Sequence, residues 1–353
     1  METKELLMTL VRMDTSTREG ANQAIDFAAD YLKSRGIPGT SLVKGGVKSY
    51  VAVLGEGPRT LVYNGHLDVV SGHPSQFEPF IEGDRLVGRG TADMKAGCAA
   101  MINAVVSLKD APLENRVMLQ LVSDEEVGGS QGSKFLVDSG YLGDFVICTE
   151  PTNFNIALQA KGILRLDITS HGVAAHGSRP WEGVNAIEKS LENFKKITEL
   201  PDLKRGNEFY ESSSVNLGFI RGGDIYNRVP DQCTMGLDIR YIPELDPGRL
   251  VRAIEEAVDA DVAVMAIEPG VVVSRDQPCL SRLREVIKAV VPQIDPAFSA
   301  QHGGSDARFF SAKGIPAVEF GPVGGNWHGD GEYVSLESVE NLEAVLKRFA
   351  LDF

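Results

Sequence analysis

The sequence predicts an α/β protein with a mostly parallel sheet, interrupted by an inserted α+β domain. Short apolar segments alternate with helical patterns in the first part of the chain, and this pattern resumes at about residue 276. Between these parts, strands alternate apolar and polar residues, which is typical of a sheet with one solvated face. We therefore expect a discontinuous domain at residues 1–160 and 276–353 and an inserted domain at residues 161–275.

The elements of the discontinuous domain follow from apolar runs and helical periodicity. We expect strands at residues 49–54, 60–64, 116–122, 144–149 and 316–320, and helices at residues 91–108, 130–139, 279–290, 304–312 and 336–350. In the inserted domain we expect strands at residues 162–170, 214–220, 232–241 and 261–267, and helices at residues 184–198 and 247–258. The resulting order β-α-β-β-α-β is that of a ferredoxin-like domain.

Composition narrows the class of protein. The chain has 49 Asp and Glu against 35 Lys and Arg, a net charge of −14, which argues against a nucleic-acid binder. No apolar run reaches the roughly 18 residues of a membrane span, and the N-terminus lacks a signal-peptide core. The four cysteines are far apart, which argues against a disulfide framework or a cysteine zinc site. We expect a cytoplasmic protein.

Histidines and carboxylates follow several of the expected strands. His66 and Asp68 come directly after one strand, although a strand-end histidine beside a solvated aspartate would look the same. Asp93 lies where a helix is expected to begin, a position that favours Asp through the helix dipole alone. Further candidates follow other strands; they are Glu125, Glu126, Glu150 and His328. Parallel strands bring their carboxyl ends to one edge of a sheet, where ligands bind.

Together these residues point to metal chemistry. Two histidines, one aspartate that can bridge and two glutamates are a natural set for two Zn²⁺-class ions. The extra acid, either Glu125 or Glu126, is then free to act as general base toward water.

The chain resembles the acetylornithine deacetylase / succinyl-diaminopimelate desuccinylase family of dinuclear zinc metallohydrolases. The resemblance covers nearly the whole chain and rests on the ordered motifs GHLDVV, FEPFIEGDRLVGRGTADMKAG, SDEEVGG, TEPT, AAHGSRPWEGVNAIE, NRVPDQCTMGLDIR, GGSDARFF and FGPV followed by His328. It implies a zinc-peptidase catalytic domain, an inserted lid and dimerisation domain, and a homodimer. It also implies hydrolysis of an amide bond in an N-acyl amino acid.

The resemblance assigns the metal ligands. His66, Asp93 and Glu150 would hold one ion, and Asp93, Glu126 and His328 would hold the other. The ions would be Zn²⁺, although Co²⁺ and Mn²⁺ suit the same ligands.

The resemblance also assigns catalytic and substrate residues. Glu125 would be the general base, Asp68 would orient His66, and His176 would stabilise the oxyanion. Positions that match substrate contacts of the family are Asn227, Arg240, Gly303, Gly304 and Ser305. Arg228 and Arg308 are further candidates because they are nearby and guanidinium groups bind carboxylates through paired donors. His73, His171 and His302 have no assigned role.

The first candidate substrate is N-succinyl-diaminopimelate, and N-acetyl-ornithine and N-acetyl-lysine are related candidates. A carboxypeptidase or dipeptidase would use the same chemistry with a different pocket. A non-catalytic metal-binding or ligand-binding relative is a further alternative, but the presence of Glu125 beside a full ligand set argues against it.

Overall fold

The computed structural model describes residues 1–353. Its helices are α1 (Thr3–Arg12), α2 (Arg18–Ser34), α3 (Ala96–Leu108), α4 (Ser133–Asp138), α5 (Ala186–Thr198), α6 (Pro201–Lys204), α7 (Pro247–Ala257), α8 (Pro278–Val290), α9 (Ala307–Ser311) and α10 (Leu336–Asp352). None of these helices combines the length and apolarity that a membrane span requires.

The strands are β1 (Gly39–Lys44), β2 (Val47–Leu54), β3 (Thr60–His66), β4 (Phe80–Glu82), β5 (Arg85–Val87), β6 (Arg116–Val122), β7 (Phe145–Cys148), β8 (Ile156–Ala160), β9 (Gly162–His171), β10 (Ser214–Gly222), β11 (Gln232–Tyr241), β12 (Asp261–Glu268), β13 (Val271–Val272), β14 (Phe298–Gln301), β15 (Ala317–Glu319), β16 (Gly324–Gly325) and β17 (Tyr333–Ser335).

The chain forms two compact units. The first comprises Met1–Leu158, Val273–Ala300 and Ser305–Phe353, and the second comprises Gln159–Val272 and Gln301–Gly304. The sequence analysis placed residues 301–304 in the discontinuous domain. In the structure, the carbonyl oxygen of Gln301 accepts hydrogen bonds from the Lys161 main chain and the Tyr210 hydroxyl, both of the second unit.

The main sheet of the first unit has a parallel centre. Its strand order is β1-β2-β6-β3-β7-β15-β8, and the four strands β6, β3, β7 and β15 run parallel. The predicted α/β class is therefore confirmed. Strands β2 and β8 run antiparallel to their central neighbours, which the sequence analysis did not predict. Residues 55–59 between β2 and β3 are too few for the crossover that would return the chain to run parallel to β2, so β3 runs in the opposite direction.

The core of the first unit lies between this sheet and its helices. Every residue of β3 is buried, and α3 is apolar nearly all round, as a helix enclosed in a core must be. Helix α10 packs against α3, and its Phe349 meets Phe145 of β7 edge to face, with ring centroids 5.9 Å apart. Helix α3 is therefore enclosed between the sheet and α10.

The expected helix at residues 91–108 begins later than predicted. Asp93 and Met94 have non-helical φ and ψ values, and α3 begins at Ala96. The main-chain N–H groups of Ala92 and Asp93 donate to the Glu332 carboxylate instead of taking helical positions. Helical periodicity cannot show a distant acceptor of this kind, so the prediction was wrong for the first turn.

The second unit contains a separate antiparallel sheet. Its strand order is β10-β11-β9-β12, and α5 and α7 complete the predicted β-α-β-β-α-β order. Burial alternates along β9, as the apolar and polar alternation of its sequence predicts.

A third, small sheet lies in the first unit and was not predicted. Its order is β16-β17-β5-β4, and all its pairs are antiparallel. Its strands have only two or three residues each, which is too short for a clear sequence pattern.

We predict that Gly97→Ala destabilises the first unit. A Cβ atom at Gly97 would lie 2.1 Å from the carbonyl oxygen of Thr149, so α3 would have to move from the end of β7. We expect a loss of about 1–3 kcal/mol in the free energy of unfolding, measured by urea titration. Ser107→Ala, on the exposed side of the same helix, is the control. Equal unfolding midpoints for the two variants would contradict this close packing.

Candidate metal centre

The candidate ligands meet because three neighbouring strands end together. In the parallel pair β3 and β6, His66 lies opposite Val122, and Glu125 and Glu126 follow that strand. In the pair β3 and β7, Asn64 lies opposite Cys148, two residues before Glu150. The carboxyl edge of the sheet therefore gathers one histidine and three glutamates, as the sequence predicts.

The first ligand group consists of His66, Asp93 and Glu150, whose donor atoms all lie within 4.8 Å of one another. The Nε2 atom of His66 is 3.2 Å from Oδ1 of Asp93 and 3.7 Å from Oε1 of Glu150. His66 is fully enclosed, with 1% of its surface exposed.

The second ligand group consists of Asp93, Glu126 and His328. The Nε2 atom of His328 is 3.3 Å from Oδ2 of Asp93 and 3.3 Å from Oε1 of Glu126. Asp93 therefore presents one carboxylate oxygen to each group. The structure brings together all five residues that the sequence analysis proposed as ligands, while their role as ligands stays a prediction.

Asp68 contacts the imidazole of His66 mainly through its main chain. Its carbonyl oxygen lies 2.9 Å from Nδ1 of His66, whereas its carboxylate Oδ1 lies 3.6 Å away, too far for a hydrogen bond. A proton on Nδ1 directed at this carbonyl leaves Nε2 as the free electron-pair donor. The carboxylate Oδ2 instead accepts a hydrogen bond from the main-chain N–H of Glu126 at 3.0 Å.

The donor set fits divalent cations. Nε2 of His66 and Oε1 of Glu126 are both buried, and neither makes a hydrogen bond within the protein. Buried polar atoms are rarely left in this state, so both need a partner that the protein does not supply. Nitrogen and oxygen donors without thiolate are those that Zn²⁺, Co²⁺ and Mn²⁺ accept.

The electrostatics of the two groups also favour cations. Burial raises the pKa of Glu150 well above its usual value and that of Glu126 to about 7. The neighbouring carboxylate of Asp93 raises the pKa of His328 to about 9. Burial alone would lower the pKa of His66, but the surrounding carboxylates raise it well above its usual value. Crowded buried carboxylates resist ionisation, and divalent ions offset that cost.

Glu125 lies beside these groups but belongs to neither. Its side chain is 13% exposed, and burial raises the pKa of its carboxyl group. Arg308 approaches Oε1 of Glu125 at 3.4 Å and also donates to the carbonyl oxygens of Ser305 and Gly128. Arg308 is 4% exposed, so these contacts favour a role in holding the Glu125 turn. Its predicted contact with substrate stays a prediction.

Two buried carboxylates near Glu125 were not predicted from the sequence. Burial raises the pKa of Asp306 to about 8 and that of Glu319 to about 7. Asp306 accepts a hydrogen bond from Ser133, and Glu319 accepts one from Ser305. Ser305 is thus buried and bonded to Glu319 in the first unit. The GGSDARFF motif contains Asp306, but nothing in it distinguishes a buried acid from an exposed one.

Other predicted residues lie in the second unit. The structure brings His176 next to Arg228 through an isolated bridge, and Gly177 N–H donates to the Asn227 carbonyl oxygen at 2.8 Å. His176 is exposed, with Nδ1 2.8 Å from the Ser178 hydroxyl. Arg228 pairs with Asp224 and Asp231, and Arg240 pairs with Asp238 at 2.6 Å. Gly303 and Gly304 also belong to this unit.

The remaining histidines make local contacts. The main-chain N–H of His73 donates to Gln76, His171 pairs with exposed Asp261 at 2.7 Å, and the His302 ring lies 5.5 Å from Tyr210. None of these contacts gives a histidine a role in the ligand groups.

A comparison with protein families identifies this architecture. The family model described as Peptidase family M20/M25/M40 matches residues 62–352. The chain belongs to this peptidase family. It is therefore an amide-bond hydrolase that uses divalent metal.

Relatives agree with this assignment, and a solved structure shares the fold. The chain is 30% identical to succinyl-diaminopimelate desuccinylase of Sulfurovum sp. over 366 residues, which cover 98% of each chain. It is 33% identical to the enzyme of the same name from Gluconobacter oxydans over 319 residues, 84% of this chain and 82% of the relative. The crystal structure of aminopeptidase PepT from Bacillus cereus shares the fold, with a TM-score of 0.83, 22% identity and coverage of 99% and 98%.

We predict that chelation destabilises the metal-loaded protein. Ions that bind only the folded state add about 2.7 kcal/mol each when present at 100 times their Kd. Removing them with EDTA should lower Tm, measured by calorimetry, and re-adding Zn²⁺ should restore it. A Glu126→Gln/His328→Ala variant should show a smaller EDTA effect because one ligand group is lost. Identical Tm values with and without EDTA would contradict a clustered metal site.

Proposed function

We propose that this chain hydrolyses the amide bond of N-succinyl-diaminopimelate. Metal-dependent hydrolysis is supported by one observation: two ligand groups share Asp93, and the further acid Glu125 lies beside them. The substrate is proposed from the two curated relatives, which are at least 30% identical over most of the chain and carry that enzyme name. N-acetyl-ornithine and N-acetyl-lysine are the closest alternative substrates because they share the same acyl-amino-acid core.

The proposed cofactor is a pair of Zn²⁺ ions, with Co²⁺ and Mn²⁺ as alternatives. His66, Asp93 and Glu150 would hold one ion, and Asp93, Glu126 and His328 the other. When bound, such ions polarise a carbonyl group and lower the pKa of water. Two divalent ions contribute four positive charges against the three negative charges of Asp93, Glu126 and Glu150.

The chain's own residues then move the protons. Glu125 would accept a proton from the attacking water and return it to the leaving amine. Arg308, which contacts Glu125 and two carbonyl oxygens, would keep the carboxylate in place during both transfers. Asp68 would hold His66 in the tautomer that presents Nε2.

The second unit would supply contacts to the substrate. His176 would donate a hydrogen bond to the oxyanion, because its ring is exposed and its Nδ1 is already bonded to Ser178. Asn227, Arg228 and Arg240 would bind the substrate carboxylates, for which guanidinium groups are suited by their paired donors. Further proposed contacts are Gly303 and Gly304 of the second unit and Ser305 and Arg308 of the first.

We also propose a cytoplasmic homodimer that forms through the second unit. Strand β12 is an edge of the four-stranded sheet and exposes Val264, Met265 and Ile267. An apolar edge strand of this kind is suited to pairing with another chain. All four cysteines are free and buried, which is consistent with a reducing compartment.

We predict that Glu125→Ala separates metal binding from turnover. The variant should keep the metal content of the unsubstituted protein because Glu125 belongs to neither ligand group. Its kcat should fall about 10²- to 10⁴-fold, as expected when a general base is removed. Metal content is measured by atomic emission and kcat by release of succinate. Asp110→Asn, at an exposed position of the first unit, is the control. A near-normal kcat for Glu125→Ala would rule out this base.

A substrate panel tests the proposed reaction. We expect the highest kcat/KM for N-succinyl-diaminopimelate, compared with N-acetyl-ornithine, N-acetyl-lysine and dipeptides. Release of a C-terminal amino acid from dipeptides without deacylation would make the chain a carboxypeptidase or dipeptidase. Two bound ions with no hydrolysis of any compound would make it a non-catalytic relative.

A further inference from the structure

A buried glutamate outside both ligand groups collects four hydrogen bonds. Glu332 is 1% exposed. Its Oε2 accepts from Nη1 of Arg89 and from the main-chain N–H of Gly90, each at 2.9 Å. Its Oε1 accepts from the main-chain N–H groups of Ala92 at 2.9 Å and Asp93 at 3.1 Å. Three of the four donors therefore belong to the main chain that leads into the shared ligand Asp93.

This main chain forms a single irregular turn at Thr91–Lys95, closed by Lys95 N–H donating to the carbonyl oxygen of Gly90 at 3.0 Å. Gly90 has φ of +76°, in the left-handed region, and Asp93 has non-helical φ and ψ of −113° and 97°. Neither an α-helix nor a strand fixes this conformation. The Glu332 carboxylate binds the N–H groups of the segment on both sides of Thr91, and so determines where the Asp93 side chain begins.

Glu332 also connects this segment to the loop that carries His328. That loop joins β16 to β17, and the carbonyl oxygen of Glu332 accepts from Gly88 N–H at 2.9 Å, next to the pairing of β17 with β5. The Arg89 guanidinium, held by Glu332 through Nη1, donates through Nη2 to the carbonyl oxygen of His328 at 3.2 Å. Hydrogen bonds thus connect Asp93 directly, and His328 through Arg89, to the Glu332 carboxylate.

We infer that Glu332, acting with Arg89, is a positioning residue for the metal centre, which it serves by placing Asp93 and His328 relative to each other. A buried ion pair alone is weak evidence for stability, since its desolvation cost offsets its attraction. What distinguishes this pair is that its hydrogen bonds end on the main chain of two ligand-bearing segments. The inference rests on the proposed function, because it assigns Glu332 to the same metal centre.

The test measures Zn²⁺ affinity by competition with a chromophoric chelator, without substrate. Glu332→Gln should lower the affinity about 10- to 100-fold, the usual effect of losing a residue that orients ligands. Arg89→Lys keeps the positive charge but not the paired donors. It should lower the protein's affinity for one of the two Zn²⁺ ions. Glu285→Gln, in an exposed ion pair with Arg282, is the control for the charge change and should bind Zn²⁺ normally.

A double variant separates positioning from stability. Arg89→Met/Glu332→Gln removes both charges, so no uncompensated buried charge remains. Without metal, the double variant should have a Tm closer to that of the unsubstituted protein than Glu332→Gln has. Its Zn²⁺ affinity should stay about 10- to 100-fold lower than that of the unsubstituted protein. If Glu332→Gln does not fold, this variant and Arg89→Lys carry the test.

Two results would overturn the inference. They are normal Zn²⁺ affinity in folded Glu332→Gln, and recovery of affinity together with Tm in the double variant. Failure of the unsubstituted protein to bind Zn²⁺, Co²⁺ or Mn²⁺ would instead contradict the proposed function. Excess Zn²⁺ should restore kcat of Glu332→Gln with KM within about twofold, which a loss of folding would not allow.

Discussion

Carboxylate crowding at the edge of a parallel sheet is the constraint on which the rest of this molecule depends. Strands β6, β3 and β7 end side by side, and their register brings the acids that follow them close together. Buried like charges that lie close together are energetically costly unless a cation lies among them. Two further contacts stabilise this part of the sheet. Helix α3 packs against the strands, and Asp68 connects the His66 segment to the Glu126 segment.

The sequence predicted well which candidate residues the structure brings together, because each lies at a feature that is local in the chain. His66 is the last residue of β3, Glu126 and Glu150 lie a few residues after β6 and β7, and parallel strands end at one edge. Asp93 and His328 lie in glycine-rich segments that the family motifs mark. The inserted unit was predictable for a similar reason, since its strands alternate apolar and polar residues.

What the sequence could not predict depends on contacts between distant segments. The start of α3 at Ala96 follows from an acceptor on Glu332, more than two hundred residues away in the chain. Glu332 and Arg89 look like ordinary surface charges in the sequence, and only the fold shows that both are buried. The same holds for Asp306 and Glu319, whose partners are hydroxyl groups elsewhere in the first unit. Residue type alone does not reveal which acids a core encloses.

The shared carboxylate of Asp93 connects the two ligand groups. One oxygen faces His66 and the other faces His328, so fixing the carboxylate at one group alters the entropy and geometry available at the other. Asp68 adds a second connection, from the imidazole of one group to the main chain of the other. Linkage makes any such coupling reciprocal. Ions held at the two groups would therefore change each other's affinity by the same factor and would not bind independently.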